Sequence, residues 1–490
     1  MTQARPELRP LSSAGVARAE LPVRILQIGA GNFIRAFVDL MVHRANEAGV
    51  LRHGIAILKV TPRSEQVTPR LAEQDGLFHV VLEGAGATEI TLVTAVREVV
   101  NAYADWDRCR ALARGEELRF VVSNTTEAGI VFVDGDDLTA SPPASFPAKM
   151  TALLHERWLH FGGDPARGLS FLPCELNEDN GSTLRAMVLR HAARASADPG
   201  FAQWVAEHCR FYDTIVDRIV PGLPEDEAAE LRQSLGYDDR LIVRGESYGH
   251  WAIAGDPAIR DEFPLDRAGQ PVEFLTDIRP YREKKVRVLN GAHTAMAAVA
   301  PLLGCRTVLE ATAHPLAGAY VRQLVECEVL PTLPGDRAEL SRFAAAILDR
   351  FRNPVLRHQL GDIALNAIAK WRTRNLPVVL DAWRAGRAAS LSVFALACLL
   401  AGYAGALGDL PVRDDDPAVL SRIRDSFPAG DPQSWLAELF PALGWRGTLD
   451  QSQVMRLAAE TAVPLRALLA GDPAQVLTGL LTPAPVSDWE

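Results

Sequence analysis

Short apolar, β-branched runs alternate with amphipathic stretches through the first half of the chain. VRILQI (23–28) leads directly into Gly29-Ala30-Gly31, and the stretch that follows places Phe33, Phe37, Leu40 and Met41 at helical spacing, closed by Gly49. IAILKV (55–60) reads as the next strand of a βαβ unit, whereas LFHVVLEG (77–84) and EITLVTAVREVV (89–100) alternate like an antiparallel pair. ADWDRCRALARG predicts a helix and LRFVVSN (118–124) a buried strand ending in Thr125-Thr126-Glu127-Ala128-Gly129. PAKMTALLHERWLHFG predicts a long helix and GLSFLPCE (168–175) a further strand. This alternation predicts the α/β class with a mostly parallel sheet.

The pattern changes near TDIRPYREKK (276–285), after which nearly every segment is helical in period and rich in Ala and Leu. The division expected is a mobile N-terminal tail over 1–20, a Rossmann-type dinucleotide-binding domain over 21–278, and an α-helical substrate and catalytic domain over 279–490. LSVFALACLLAGYAGALG (391–408) approaches the length of a membrane span, but its small residues and acidic flanks predict a buried helix.

The 490 residues carry 51 basic and 61 acidic side chains, a net charge of −10 that excludes nucleic acid or an anionic membrane as the main partner. The six cysteines form no CxxC pair and the N-terminus lacks the apolar core of a signal peptide, which points to a reducing cytoplasm. No HExxH or comparable ligand spacing is present, so no metal is expected. Only five of the basic residues are lysine (59, 149, 284, 285 and 370). Arginine keeps its proton at any usable pH and a buried lysine does not, so a retained lysine is a candidate for proton chemistry.

Two places carry candidate chemistry. The first is the strand–Gly29-x-Gly31–helix turn, where bare backbone and helix N–H groups suit a pyrophosphate; an unliganded tight turn would use the same residues. The third glycine of the full fingerprint is Ile34, followed by Arg35. The slot for a ribose-binding acid reads Lys59-Val-Thr-Pro-Arg63, which leaves NAD and NADP open. The second place is Lys284-Lys285-Val-Arg-Val-Leu-Asn290-Gly-Ala-His293. On a continuous α-helix Lys285, His293 and Asn290 fall at about 0°, 80° and 140°, with Lys284 opposite His293. A lysine, an amide and an imidazole on one face suit carbonyl–alcohol interconversion, which needs one group to move a proton and one to donate to the oxyanion. A solvated lysine beside a polar capping pair fits the same spacing. Lys370, Arg372 and Arg374, with His358 upstream, offer cations for a substrate carboxylate or ordinary surface charge.

These residues resemble a known family. ILQIGAGNFIRAFVD (25–39), QDGLF (74–78), FVVSNTTEAGI (120–130), SFPAKMT (145–151), LPCELNEDNG (172–181), KKVRVLNGAHTA (284–295), FRNPVLRHQL (351–360) and ALNAIAKWRTRNLP (364–377) are similar, in order, to the polyol-specific long-chain dehydrogenases of the mannitol dehydrogenase family. Within that family the resemblance is to the tagaturonate reductase branch. It implies a Rossmann domain followed by a mainly helical domain, and metal-free hydride transfer with NAD as cofactor. It further implies Lys285 as general acid/base, Asn290 as oxyanion donor and His293 as a substrate-binding group. A second oxyanion asparagine falls in CELNEDNG and is assigned to Asn180, because the mannitol-dehydrogenase relatives read Cys-Asp-Asn where this chain has Cys174-Glu175-Leu176.

Gly29, Gly31, Asn32, Phe33, Asn124, Thr125 and Glu127 are the expected cofactor-binding residues. The expected reaction interconverts D-tagaturonate and D-altronate in a monomer or small homo-oligomer whose partner is a small sugar acid. Fructuronate/mannonate or an uncharged polyol is the alternative substrate, and a non-catalytic dinucleotide sensor the alternative class.

Overall fold

Six parallel strands build the main sheet of the first unit: β1 (Val23–Ile28), β2 (Gly54–Lys59), β3 (Val96–Asn101), β4 (Phe120–Ser123), β5 (Ser170–Pro173) and β6 (Arg210–Phe211). Their spatial order is β3-β2-β1-β4-β5-β6. This is the doubly wound dinucleotide-binding order, with a reversal between β1 and β4. The computed structural model describes residues 8–62, 66–84, 87–125, 129–195, 199–353, 358–407, 416–428 and 430–481. By its internal contacts the chain divides into Met1–Ile278 and Arg279–Glu490.

Both sheet faces are covered, so alternate residues of each strand enter two different cores. Ile25, Ile57 and Val122 lie in one; Leu26, Ile28, Leu58 and Val121 lie in the other. Gln27 breaks the pattern as a polar residue on the first of these faces with no exposure.

The ribbon differs from the sequence expectation. Phe78–Gly84 does pair antiparallel with Ala87–Val93, but the run expected to continue to residue 100 breaks at Thr94-Ala95. Its second half becomes β3, parallel to β2, because Val96 and Val100 are buried by the two opposite cores of the main sheet. Residues 8–20 also depart from the expected tail. Arg9–Pro10 pairs in parallel with Tyr237–Asp238, and Ser13 N–H and Oγ donate to the Asp75 carboxylate at 2.9 and 2.7 Å. The Arg18 guanidinium donates to the carbonyls of Asp75, Thr94 and Val96. Polar anchoring of this kind leaves no hydrophobic signal in the sequence.

His53, just before β2, lies nearly parallel to Phe263 at 5.9 Å, and burial lowers its pKa to about 4. In the unfolded chain it titrates near 6.5, so the unfolded state binds the extra proton as pH falls below that value. Its contribution is therefore complete above pH 6.5 and shrinks towards pH 4. Between pH 7 and pH 5 the protein should lose about 2 kcal/mol that a His53→Phe variant does not lose, read from urea unfolding at both pH values.

In the second unit helices pack around one apolar core. Ser390–Tyr403 is the expected buried helix, enclosed at every residue after the first. Among the described residues no helix is long and apolar enough to cross a membrane.

Candidate active site

Ligands of an open parallel sheet bind beyond the carboxyl ends of the strands, where the strand order reverses. A cavity of about 590 Å³ lies there in the first unit, walled in part by Gly29, Gly31, Lys59, Thr61, Asn124 and Thr125. Gly29 leaves β1 with φ +101° and donates its N–H to the Leu58 carbonyl at 3.2 Å. A Cβ there would stand 2.8 Å from the Asn124 carbonyl oxygen, so only glycine fits. Gly31 differs. Its φ is −61°, a Cβ would meet nothing within 4 Å, and it precedes the helical run from Asn32 with no side-chain cap. Bare backbone and uncapped N–H groups at this place fit a pyrophosphate.

On the opposite lip Glu175 accepts from the Thr125 N–H and Oγ1, both at 2.8 Å, and from Ser123 Oγ at 2.9 Å. Asn124 Nδ2 donates to the Cys174 carbonyl at 3.2 Å. Phe33 stacks on Phe37 at 5.0 Å, and Asn32 Oδ1 accepts from Arg35 at 2.7 Å, so both shape the helix start beside the cavity. Glu127 and Arg63 lie outside the described residues.

In the second unit, helix Arg279–Lys285 passes into a π-helical segment, Val286–Gly291, and then into Ala292–Val299. This corrects the plain α-helical geometry, because i→i+5 winding takes more residues per turn and returns Asn290 towards the side of Lys285. Lys285 and His293 are each 7% exposed, and Asn290 is half-buried. The His293 ring stacks on Phe351 at 4.2 Å and meets His358 edge-on at 5.2 Å. Burial first, then the charges of His358, Arg350 and Arg374, holds its pKa well below the usual histidine range. The ring is neutral near pH 7, and its Nε2 is buried with no hydrogen-bond partner among the described residues. Lys284, by contrast, pairs with Glu339 at 3.4 Å and lies over the Phe343 ring.

Helix Ala367–Arg374 carries the expected cations. Lys370 and Arg374, four apart, share a face, and Arg372 stands about half a turn away from both. Arg374 Nη1 donates to Thr294 Oγ1 at 3.1 Å, and Thr294 Oγ1 donates to the Asn290 carbonyl at 2.9 Å. Lys370 Nζ donates to the Ile363 carbonyl at 2.9 Å. Thus Arg374 and His358 join the Asn290–His293 group, while the helix turns Arg372 elsewhere.

Residues 23–266 match the Mannitol dehydrogenase Rossmann domain and residues 277–436 the Mannitol dehydrogenase C-terminal domain. An altronate oxidoreductase of Bacillus subtilis (strain 168) is 41% identical over 411 residues, 83% of this chain and 84% of that relative. The chain belongs to the mannitol dehydrogenase family. A second altronate oxidoreductase, from Klebsiella pneumoniae (strain 342), is 39% identical over 436 residues, 88% of this chain and 87% of its own length. Among solved structures, the ternary complex of Pseudomonas fluorescens mannitol 2-dehydrogenase with NAD and D-mannitol has a TM-score of 0.75 at 23% identity, covering 99% of this chain and 98% of that one. At that identity it confirms the fold, a Rossmann domain followed by a helical domain. The protein is an oxidoreductase of this dinucleotide-binding family, and its altronate oxidoreductase relatives match over most of their length.

One expected site residue is corrected by the geometry. Asn180 is 1% exposed, and its Nδ2 donates to the carbonyls of Pro173, Glu175 and Thr214 at 2.9–3.1 Å. Its Oδ1 accepts from the Gly181 and Thr214 N–H groups. An amide spent on five backbone groups has no donor left for an oxyanion, so Asn180 fastens the loop after β5. The exposed neighbour, Leu176 at 70%, has no polar group to offer. Sequence reasoning missed Glu175, Thr294, Arg350 and Phe351 as site-forming residues. Glu175, Thr294 and Phe351 stood inside the quoted motifs, but their partners Thr125, Arg374 and His293 are about 50 residues or more away, which no local pattern reports.

Proposed function

We propose that the protein reduces the C3 keto group of D-tagaturonate to give D-altronate with NADH, and catalyses the reverse oxidation. The observation that carries this reading is the group in the second unit: buried Lys285, Asn290 beside it along the π-helical turn, and neutral His293 with a free Nε2, next to the Arg350 and Arg374 charges. The altronate named in the relatives is a sugar acid, and a carboxylate calls for such cations.

The cavity residues fit a nicotinamide dinucleotide, which supplies the hydride when bound. In reduction Lys285 Nζ gives its proton to the substrate carbonyl oxygen and is left neutral; in oxidation it takes the hydroxyl proton back. The Asn290 amide donates to that oxygen as negative charge develops. His293 bonds a substrate hydroxyl through Nε2, and Arg374, braced on Thr294, holds the carboxylate. Purified protein given tagaturonate, fructuronate and fructose, each with NADH and NADPH, should oxidise NADH fastest with tagaturonate. Turnover highest with fructose would remove the sugar-acid reading, and none with any substrate would leave a dinucleotide sensor.

Two further outcomes follow from named residues. Arg374→Ala should raise KM for the keto acid about ten- to a hundredfold, the worth of one charge-assisted contact at about 1.5–3 kcal/mol, with KM for NADH unchanged. An unchanged keto-acid KM would move the carboxylate elsewhere. The second concerns the coenzyme. The described cavity wall carries Lys59 and no acid, so none of the described wall residues chelates the ribose diol. NADH should be preferred only modestly, and Lys59→Asp should widen the NADH:NADPH ratio of kcat/KM at least about tenfold, or about 1.4 kcal/mol. A higher kcat/KM with NADPH in the unaltered enzyme would overturn the NADH assignment.

A further inference from the structure

We propose that Arg35, together with the Gln27–Asp39 pair, positions the dinucleotide-binding turn from beneath, in the role the missing third glycine would otherwise share. The proposal rests on the dinucleotide reading of the cavity in the first unit. The fingerprint's third glycine is Ile34, a core side chain with no exposure, so close glycine packing of helix on strand cannot set this turn. Buried polar groups hold it instead. Gln27 Nε2 donates to the Gly29 carbonyl at 3.2 Å and to Asp39 Oδ2 at 3.3 Å. Arg35 Nε donates to the Ala30 carbonyl at 3.0 Å, Nη2 to Asn32 Oδ1 at 2.7 Å and Nη1 to the Leu241 carbonyl at 2.5 Å. One guanidinium therefore ties both sides of Gly31 to the segment ahead of strand Val243–Glu246.

Peptide planarity gives these bonds their consequence. In a trans peptide the C=O and the following N–H point in opposite directions. Drawing the Gly29 oxygen inward turns the Ala30 N–H outward, and drawing the Ala30 oxygen onto Arg35 turns the Gly31 N–H outward. Neither of those two amides has a hydrogen-bond partner among the described residues, and both residues line the cavity. The underlay thus aims two donors at the place a pyrophosphate occupies. Arg35 also brings charge: burial lowers its pKa to about 10, which still leaves it cationic near pH 7, and its ring neighbour Phe78 lies 5.2 Å away. A side chain kept only to fill the core would not need two hydrogen bonds directed at one turn and a third that ties it to Leu241.

The test compares wild-type protein with Arg35→Lys and Gln27→Met, which keep charge and volume respectively, by NADH fluorescence titration, steady-state kinetics and thermal melting. Each variant should raise the NADH Kd at least fivefold, leave KM for tagaturonate at saturating NADH within twofold, and keep most of kcat. A purely structural role predicts a lowered Tm with an unchanged NADH Kd, and that result in both variants overturns the proposal. Failure of both variants to fold overturns it equally, because the groups would then serve the core and not the turn. Wild-type protein that does not bind NADH removes the coenzyme reading itself; wild-type binding with unaltered variants removes this proposal alone.

Discussion

Lys285→Arg should lower kcat by at least about a hundredfold, in line with the usual worth of general acid–base catalysis, and should leave NADH affinity close to that of the unaltered enzyme. The argument starts from composition. The chain uses lysine at only five basic positions, so wherever charge alone is needed arginine is the ordinary solution. Lys285 is 7% exposed at the end of helix Arg279–Lys285, where the π-helical turn brings Asn290 to its side. If it supplied only charge, arginine would serve there as elsewhere. Arginine's pKa stays above about 12, so it cannot act as the base in alcohol oxidation nor readily give a proton to a developing alkoxide. NADH affinity is spared because the residues that fit the coenzyme lie in the first unit. Lys284→Arg is the internal control: its partner Glu339 is an exposed carboxylate that arginine pairs equally well, so turnover should stay near normal. Turnover of a tenth or more in Lys285→Arg would reduce Lys285 to an electrostatic residue.

What could be read from the chain, and what could not, divides by the range of the interactions involved. VRILQI coincides with β1, and the buried helix at 390–403 was legible because a long apolar run with small residues has few alternatives. The turn at Gly29 was legible because its chemistry is local. The π-helical segments were not. Val286–Gly291 and Arg35–Asp39 have the same apolar spacing as an ordinary helix, and the extra residue in the turn is set by tertiary contacts. Asn180 shows the complementary failure. A motif places an amide near a strand end, but only the fold shows that β5 and the loop after it, with Thr214, consume all of its hydrogen bonds. The resemblance to a family suggested the reaction; the geometry showed that the Asn180 amide is already spent on backbone groups.

The two glycines of the first turn should separate folding from ligand binding. Gly29→Ala puts an L residue at φ +101° and its methyl 2.8 Å from the backbone carbonyl of Asn124, just past the end of β4. Both effects act whether or not a ligand is present, and a strained backbone position costs on the order of 1–3 kcal/mol before the clash is relieved. Relief must displace Asn124 and, with it, the Thr125–Glu175 lip, so NADH affinity falls at least about tenfold while Tm drops as well. Gly31→Ala meets neither difficulty, since φ is −61° and the new methyl enters open space at the cavity wall. Its Tm should stay at the wild-type value. On the proposed coenzyme reading a pyrophosphate approaches the backbone in that open space, so NADH binding should weaken in Gly31→Ala too, and without any loss of stability. Isothermal titration with NADH beside thermal melting reads both quantities on the same samples. An alanine at 31 that binds NADH as well as glycine would mean that the phosphates do not approach this turn, and the coenzyme would have to be placed elsewhere on the sheet.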